Sequence, residues 1–129
     1  GELYNWWGEW GLPQHHPDVL SENGLIINID GVNVASAFIY STDSYICWLE
    51  HLTTNKKTWL LLSAEQRLDV LDKLGEAIFE KAKAMGFKLT FTLATEEQEK
   101  RSKALTEWKT KNFGDVINKN MTQYYKILT

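Results

Sequence analysis

The sequence predicts an α/β (α+β) fold whose central sheet is mixed, mostly antiparallel, and contains one parallel pair of strands. Two patterns indicate this class. Three strand-like segments follow one another between turn signals, which is typical of an antiparallel meander. A strand, helix, strand pattern then occupies residues 44–94, and a right-handed crossover of this kind makes its two strands parallel. With 129 residues and 43% hydrophobic content, a single domain spanning residues 1–129 is expected.

The first third of the chain carries a short helix and the meander. The segment LYNWWGEWG is predicted to form an aromatic helix that ends at Gly11. The dipeptide Asp30-Gly31 separates two strand-like segments and is the strongest short-range hairpin signal. A second turn at residues 41–44 leads into SYICWLEHLT, so three consecutive antiparallel strands are expected.

The most regular helical period begins at Ser63. Ser63 and Gln66 have the spacing of a capping box, and Gly86 is suited to end the helix. One face is predicted to carry the apolar residues Leu68, Leu71, Leu74, Ile78, Ala82 and Met85. The following segment, FKLTFTLA, has the β-branched and aromatic content of a strand.

The last third is predicted to contain a polar helix and two strands. Thr95 and Gln98 form another capping-box pattern, and the helix is expected to run to about Lys111. The side chain of Phe113, just after this helix, is expected to be buried in the core. Two strands joined around residues 118–120 are expected to complete the chain.

Charge and cysteine content exclude several classes of function. The chain has 14 basic and 17 acidic side chains and a formal charge of −3, so it lacks the basic footprint of a nucleic-acid-binding protein. Its apolar runs are far shorter than the roughly 20 residues of a membrane span. Cys47 is the only cysteine, which rules out an internal disulfide and suits a reducing compartment. A cytoplasmic protein that binds neither nucleic acid nor membrane is therefore expected.

The order of these elements resembles the GNAT superfamily of acyl-CoA-dependent N-acyltransferases. Residues 44–86 would correspond to the family's fourth strand, pyrophosphate loop and following helix, and the segment ending in Phe113 is similar to the family's recurring helix end. The likeness covers about residues 20–129. The family's first strand and first helix have no counterpart, so LYNWWGEWG would be the remnant of the helical pair that walls the acceptor site. The resemblance implies acetyl-CoA as co-substrate and a small-molecule or peptide amine as acceptor.

The pyrophosphate loop departs from the family pattern. The family has Gln/Arg-x-x-Gly-x-Gly/Ala, whereas Gln66 is followed here by Asp69 and Leu71 at the glycine positions, and a carboxylate repels a diphosphate. A second register places the phosphates at the start of the helix, on backbone N–H groups. It would use the residues Ser63, Ala64, Glu65, Gln66 and Arg67, with Lys56 and Lys57 adding positive charge. The alternative is that Ser63 only caps the helix and the lysines are solvated.

The resemblance also implies where the pantetheine of coenzyme A runs. It would lie along the backbone of Leu52, Thr53 and Thr54, like an additional strand. The two parallel strands are predicted to diverge near Thr53 and Thr54, where polar residues replace apolar ones.

Glu50 is the candidate catalytic residue. It lies near the end of the strand on which some family members carry a general base, and partial burial there would raise the pKa of its carboxyl. Strand alternation sends His51 to the opposite face. Trp108 occupies the place of the family's tyrosine that protonates the thiolate, where it could pack beside the acyl pocket, and Tyr124 or Tyr125 would then have to act as the acid. The alternative is that Glu50 and His51 are ordinary rim residues.

Three functions remain open from the sequence. The first is an acetyltransferase, and the second is a non-catalytic, degenerate GNAT-fold module that binds CoA or another protein. The third is a small homodimeric structural protein that uses its last strand and the tryptophans Trp6, Trp7 and Trp10 as an interface. No metal site is expected, because His15, His16 and His51 lack any ligand spacing.

Overall fold

A computed structural model describes residues 1–94, 103–113 and 122–128. For residues 93, 94, 105 and 122–125 it describes the backbone alone. The described elements, in chain order, are α1 (Glu2–Glu9), a short 3-10 helix (Pro17–Val19), β1 (Gly24–Ile29), β2 (Val32–Ser41), β3 (Ile46–Thr54), α2 (Lys56–Trp59), α3 (Ala64–Ala84), β4 (Leu89–Ala94), α4 (Lys103–Asn112) and β5 (Thr122–Ile127).

The described strands form one five-stranded sheet in the order β1-β2-β3-β4-β5. Every neighbouring pair is antiparallel except β3 and β4, which are parallel. The predicted fold class, a mixed and mostly antiparallel sheet with one parallel pair at a crossover, is confirmed. The predicted start of the last helix at Thr95, and the turn at residues 118–120, lie outside the described residues.

The β1–β2 hairpin forms where the sequence predicts it. Asp30 and Gly31 both have positive φ, at 51° and 85°. A two-residue turn whose twist matches that of the flanking strands needs positive φ at both positions, which aspartate tolerates and glycine adopts without strain.

Helix α3 is capped as predicted. The Gln66 N–H donates to Ser63 Oγ at 3.1 Å, and the Ser63 N–H donates to Gln66 Oε1 at 2.8 Å. Gly86 follows the helix with φ of 95°. The predicted apolar face is buried from Leu71 to Ala82, but Met85 is 36% exposed. Placing Met85 on that face is wrong, because it is the C-cap residue, beyond the last helical residue Ala84.

The polar segment between β3 and α3 contains a turn of helix that the sequence pattern did not predict. This helix, α2, buries Trp59 in the same core as α3. Asn55 fixes the start of the segment, because its N–H donates to Val34 O and its Nδ2 donates to Asn33 O. The segment therefore folds back beside β2 and sets the position of the α3 N-terminus.

The parallel pair is short. β3 and β4 pair only at Ile46 with Leu89, Cys47 with Thr90, and Trp48 with Phe91. Beyond Trp48, β3 continues through residues 49–54 with β2 as its partner among the described strands, while β4 continues with β5. The divergence predicted near Thr53 and Thr54 therefore begins earlier, directly after Trp48. We call this opening the split.

The helices in the described part of the chain include none with the length and apolar character needed to cross a membrane.

Candidate active site at the split between β3 and β4

A β-bulge lies in β3 beside the split. Thr53 pairs with Ser36 and Glu50 pairs with Phe38, so β3 has one more residue than β2 between these two pairs. His51, one of the residues in the bulge, adopts a left-handed backbone conformation with a φ of 57°. A bulge of this kind bends the strand and redirects the side chains next to it.

The bulge places His51 on the same face as Glu50. Tyr40 pairs with Trp48, and Glu50 follows Trp48 by two residues, so all three side chains share one face of the sheet. The His51 ring lies 5.6 Å from the Tyr40 ring, centroid to centroid. The prediction that alternation sends His51 to the opposite face is therefore wrong, because the bulge interrupts the alternation.

Glu50 has the properties of a proton acceptor. Its side chain is half-buried, and burial raises the pKa of its carboxyl from 4.5 to about 6, against an opposing effect of the positive charge of Lys109. Lys109 lies on α4 and is only 4% exposed. A carboxyl with this pKa is ionised at neutral pH but accepts a proton more readily than a surface glutamate.

Aromatic side chains from α1 and from the loop after it cover His51. The rings of Trp7 and His15 each lie 5.5 Å from the His51 ring. Trp7 is buried, and its Nε1 donates to Thr53 Oγ1 at 3.1 Å, while Thr53 Oγ1 donates to His51 O at 2.9 Å. Burial and the neighbouring His15 lower the pKa of His51, which keeps its imidazole neutral at neutral pH.

Helix α1 also contacts the end of β3. Trp10 Nε1 donates to Thr54 O at 2.8 Å, so one backbone acceptor of the predicted pantetheine segment is already bonded. Lys56 Nζ donates to Glu9 O at 3.1 Å and lies 5.3 Å from the centre of the Trp10 ring. Lys56 thus neutralises the C-terminal end of α1, whereas Lys57 is exposed.

The N-terminus of α3 offers fewer donors than an uncapped helix. Ser63 Oγ already accepts from the Gln66 N–H. Arg67 Nε donates to Trp59 O at 3.0 Å, and its guanidinium lies 5.6 Å from the Trp59 ring. The backbone N–H groups of Ala64 and Glu65 remain, since no bond to either occurs within the described part of the chain.

The family-like register of the pyrophosphate loop does not fit this geometry. Asp69 and Leu71 both lie inside α3, where their N–H groups belong to the helix. Asp69 forms an ion pair with Lys73 at 3.0 Å, and Leu71 is buried in the core. The second register, in which the phosphates of CoA would bind at the start of α3, stays a prediction.

Comparison with models of known protein families and with curated proteins finds no match. Solved structures do match. A GNAT-family acetyltransferase from Staphylococcus aureus Mu50 superposes with a TM-score of 0.68 at 14% identity, over 99% of this chain and 92% of that one. An N-acetyltransferase from the same strain has a TM-score of 0.54 at 12% identity, over 82% of this chain and 67% of that one.

A third structure is an N-acetylglutamate synthase from Neisseria gonorrhoeae in complex with coenzyme A and N-acetylglutamate. It has a TM-score of 0.65 at 15% identity and covers 98% of this chain, but this chain spans only 31% of the synthase. The chain has the GNAT acyltransferase fold. At these identities the likeness establishes the fold, so the role of each residue has to be argued from its own contacts.

Within this GNAT fold, Trp108 lies in the core. It is 2% exposed, and its ring stacks on Phe79 at 6.2 Å with an interplanar angle of 2°. A Cβ added to Gly75 would lie 2.5 Å from Trp108 Cζ2, so the indole fills the place that a side chain at Gly75 would occupy. Its Nε1 is buried without a hydrogen-bond partner in the described structure. These contacts join α3 to α4 and give the indole a packing role.

Sequence reasoning missed two groups at the split, Tyr40 and Lys109, and placed a third, His51, on the wrong face. Burial raises the pKa of Tyr40, and the charge of Glu50 raises it further, against a backbone hydrogen bond. Nothing in the spacing of Lys109 distinguishes it from the exposed lysines nearby. The backbones of Tyr124 and Tyr125 pair with Thr92 and Phe91, and their side chains lie outside the described structure.

Among the described residues, no group of three or more His, Cys, Asp or Glu side chains could hold a metal ion.

Proposed function

We propose that this chain is an acetyl-CoA-dependent N-acetyltransferase that acts on an amine. The observation that carries the proposal is Glu50, a half-buried carboxyl with a pKa of about 6, beside the split of a GNAT-fold sheet. Burial and proton affinity of this kind are what a general base for an amine requires.

Glu50 would act on the acceptor before the acetyl group moves. An amine arrives at neutral pH as an ammonium ion and transfers one proton to the Glu50 carboxylate, directly or through one water. The free amine nitrogen then attacks the thioester carbonyl carbon, a C–N bond forms, and the C–S bond breaks. The thiolate leaves with the bonding electron pair and takes up the second proton that the nitrogen loses on becoming an amide, so CoA departs as the thiol.

The free side of β3 and the start of α3 would bind acetyl-CoA. Beyond Trp48 the β4 side of β3 has no strand partner in the described structure, so the backbone of Leu52, Thr53 and Thr54 could pair with the amides of the pantetheine. Because the Trp10 side chain donates a hydrogen bond to the Thr54 carbonyl, this edge of β3 offers fewer free backbone groups than an edge without such a contact.

The phosphates would bind at the start of α3. They would approach the N–H groups of Ala64 and Glu65. These two residues belong to the segment that runs from Ser63 through Gln66 to Arg67. Exposed Lys57 would supply charge, and Lys56 would contribute less because it is bonded to α1. The packing of Trp108 supports no direct contact with the co-substrate.

Two features favour a second candidate, a GNAT-fold module that binds CoA without transferring the acetyl group. The Trp10 bond to Thr54 O occupies part of the binding edge. The indole of Trp108 is buried against Phe79 and Gly75, where it donates no proton to a leaving thiolate. A homodimer in a reducing compartment remains a prediction for either candidate, with the buried thiol of Cys47 consistent with such a compartment.

Binding and turnover separate the candidates. Calorimetry and thermal unfolding with acetyl-CoA and with CoA should both show binding, because a ligand that binds only the folded state raises its stability. Salt should weaken the binding, since the phosphates are held partly by screened charge. Lys57→Ala should weaken it further, whereas Lys73→Ala, an exposed lysine in an ion pair on α3, should not.

Turnover is measured as thiol release with a panel of amines. Glu50→Gln should lower the rate by about 10²–10⁴-fold and leave acetyl-CoA affinity unchanged. Glu76→Gln, which removes an exposed carboxylate from α3, is the control. Binding without transfer to any amine would favour the non-catalytic module, and the absence of binding would reject both candidates.

A further inference from the structure

His51 shares one face of β3 with the half-buried Glu50, and its ring lies beside the ring of His15. Glu50 and His51 are consecutive residues whose side chains lie on one face because of the bulge. The His51 ring is half-buried, and the His15 ring, 5.5 Å away at an interplanar angle of 63°, belongs to an exposed residue. The described structure has no direct hydrogen bond between these two rings, so a proton would pass between the imidazoles through one bridging water.

The groups that face His51 come from three other parts of the chain. β2 contributes Tyr40, the loop after α1 contributes His15, and α1 contributes the uncharged ring of Trp7. Glu50 precedes His51 on its own strand. His51 is neutral at neutral pH, since burial and His15 lower its pKa, so it has a nitrogen free to accept a proton from its surroundings.

We propose that His51 and His15 form the route by which the proton of the acceptor amine leaves the Glu50 site and reaches solvent. This rests on the proposed acetyltransferase function. The amine proton passes to the Glu50 carboxylate and then to one nitrogen of neutral His51. The N–H on the other His51 nitrogen passes its proton through one bridging water to one nitrogen of His15, and the other His15 nitrogen releases its proton to solvent. No electrons are transferred, and each group returns to its starting charge. Each imidazole is left in its other tautomer, which rotation of the ring or proton exchange with water resets before the next cycle.

The proposed proton route assigns a function to the β-bulge at His51. In a regular strand His51 would point away from Glu50, and the left-handed conformation at His51 is what brings the two side chains to one face. Asparagine also tolerates this conformation, so His51→Asn retains the backbone while removing the imidazole.

The experiment compares three histidine variants. His51→Asn should lower kcat at least about tenfold, as expected for loss of a proton-transfer group, and His15→Gln should lower it less because water can replace an exposed group. The KM for acetyl-CoA should stay unchanged in both. His16→Gln is the matched control: His16 is adjacent to His15, but its Nδ1 accepts from the Asp18 N–H in the 3-10 helix. It should turn over like the unmodified protein.

Added imidazole separates proton transfer from a structural effect. Free imidazole should restore much of the rate of His51→Asn, which would not happen if His51 only supported the fold. Unchanged kcat in His51→Asn, or a loss that imidazole leaves untouched, overturns the route while Glu50 and the proposed function stand. If the unmodified protein transfers no acetyl group, the function fails and the route fails with it.

NMR titration of the histidine C2 protons measures the pKa of His51 and does not depend on enzymatic activity. Because His15 lowers the pKa of His51, His15→Gln should raise that pKa, and His16→Gln should not. Equal titration of His51 in the two variants would show that the two imidazoles do not interact, and it would overturn the route independently of any activity.

Discussion

The burial of Glu50 makes the stability of the fold depend on pH. Its carboxyl has a pKa of about 6 in the folded protein against 4.5 in an exposed setting, because burial disfavours the charged form more than Lys109 favours it. Between these two values the folded state binds more protons than the unfolded chain, so the free energy of unfolding falls as the pH rises through this window.

Replacing Glu50 should therefore stabilise the protein at neutral pH. Glu50→Gln removes the group that titrates, so the variant should gain stability over the unmodified protein above a pH of about 6 and show little difference below 4.5. Urea denaturation at a series of pH values measures this difference. Glu76→Gln, which removes an exposed carboxylate from α3, is the control. A stability difference that does not change with pH would mean that Glu50 is not buried as described.

His51 shows where reasoning from single residues reaches its limit. Alternation along β3 places Trp48 and Glu50 correctly, because it depends only on the pleat of the strand. The bulge after Glu50 depends on how β2 pairs with β3, and no glycine or other local signal marks it. Glu50, the proposed general base, could thus be selected from the sequence, whereas the position of the second ionisable group beside it could not.

At the scale of elements, the features fixed by local chemistry were predicted and those fixed by packing were not. The Asp30-Gly31 turn and the Ser63 and Gln66 capping box are contacts between near neighbours, so their residue types predict them. Helix α2 forms because Trp59 is buried beneath it. The burial of Lys109 likewise depends on the tertiary position of α4, which residue spacing does not encode.

The contact between α3 and α4 makes Gly75 intolerant of a side chain. Alanine is favoured over glycine in a helix by about 1 kcal/mol, but its Cβ would lie 2.5 Å from the ring of Trp108. Overpacking of this kind costs about 1–3 kcal/mol. Because this cost equals or exceeds the helix-propensity gain, Gly75→Ala should lower the free energy of unfolding, by up to about 2 kcal/mol, as measured by urea denaturation.

Gly8→Ala in α1 is the matched control for this change. There the added Cβ would meet the amide end of Gln14, an exposed and flexible side chain that can move aside. Its stability should stay equal to that of the unmodified protein or rise. Adding Trp108→Leu to Gly75→Ala should make the two changes cost less than their sum, since the smaller side chain removes the clash. Strict additivity would argue against direct contact between Gly75 and Trp108.

At the scale of the whole molecule, the sheet is continuous at one end and open at the other. β3 and β4 pair from Ile46 to Trp48, and beyond that point residues 49–54 belong to the β2 side alone. The opening leaves the β4 side of the β3 backbone without a strand partner, next to Glu50, within the described sheet. Helix α1 already occupies part of this edge through the Trp10 hydrogen bond to Thr54 O.

Hydrogen exchange should show whether acetyl-CoA binds at this opening. In the free protein, residues 49–54 should exchange faster than residues 46–48, because their backbone groups on the β4 side have no strand partner in the described sheet. Acetyl-CoA should slow exchange in residues 49–54 and at the start of α3, near Ala64 and Glu65. The hairpin turn at residues 28–33 should be unaffected and serves as the internal control.

The residues that acetyl-CoA protects from hydrogen exchange show whether it binds at the split or elsewhere on the protein. Protection at both segments would support pantetheine on β3 and phosphates on α3, because these are the two parts of one extended ligand. Protection at α3 alone would indicate that the Trp10 bond to Thr54 O keeps the pantetheine off the edge, and Trp10→Phe should then extend protection into β3. If acetyl-CoA raises Tm but protects only residues far from both segments, the split is not the binding site.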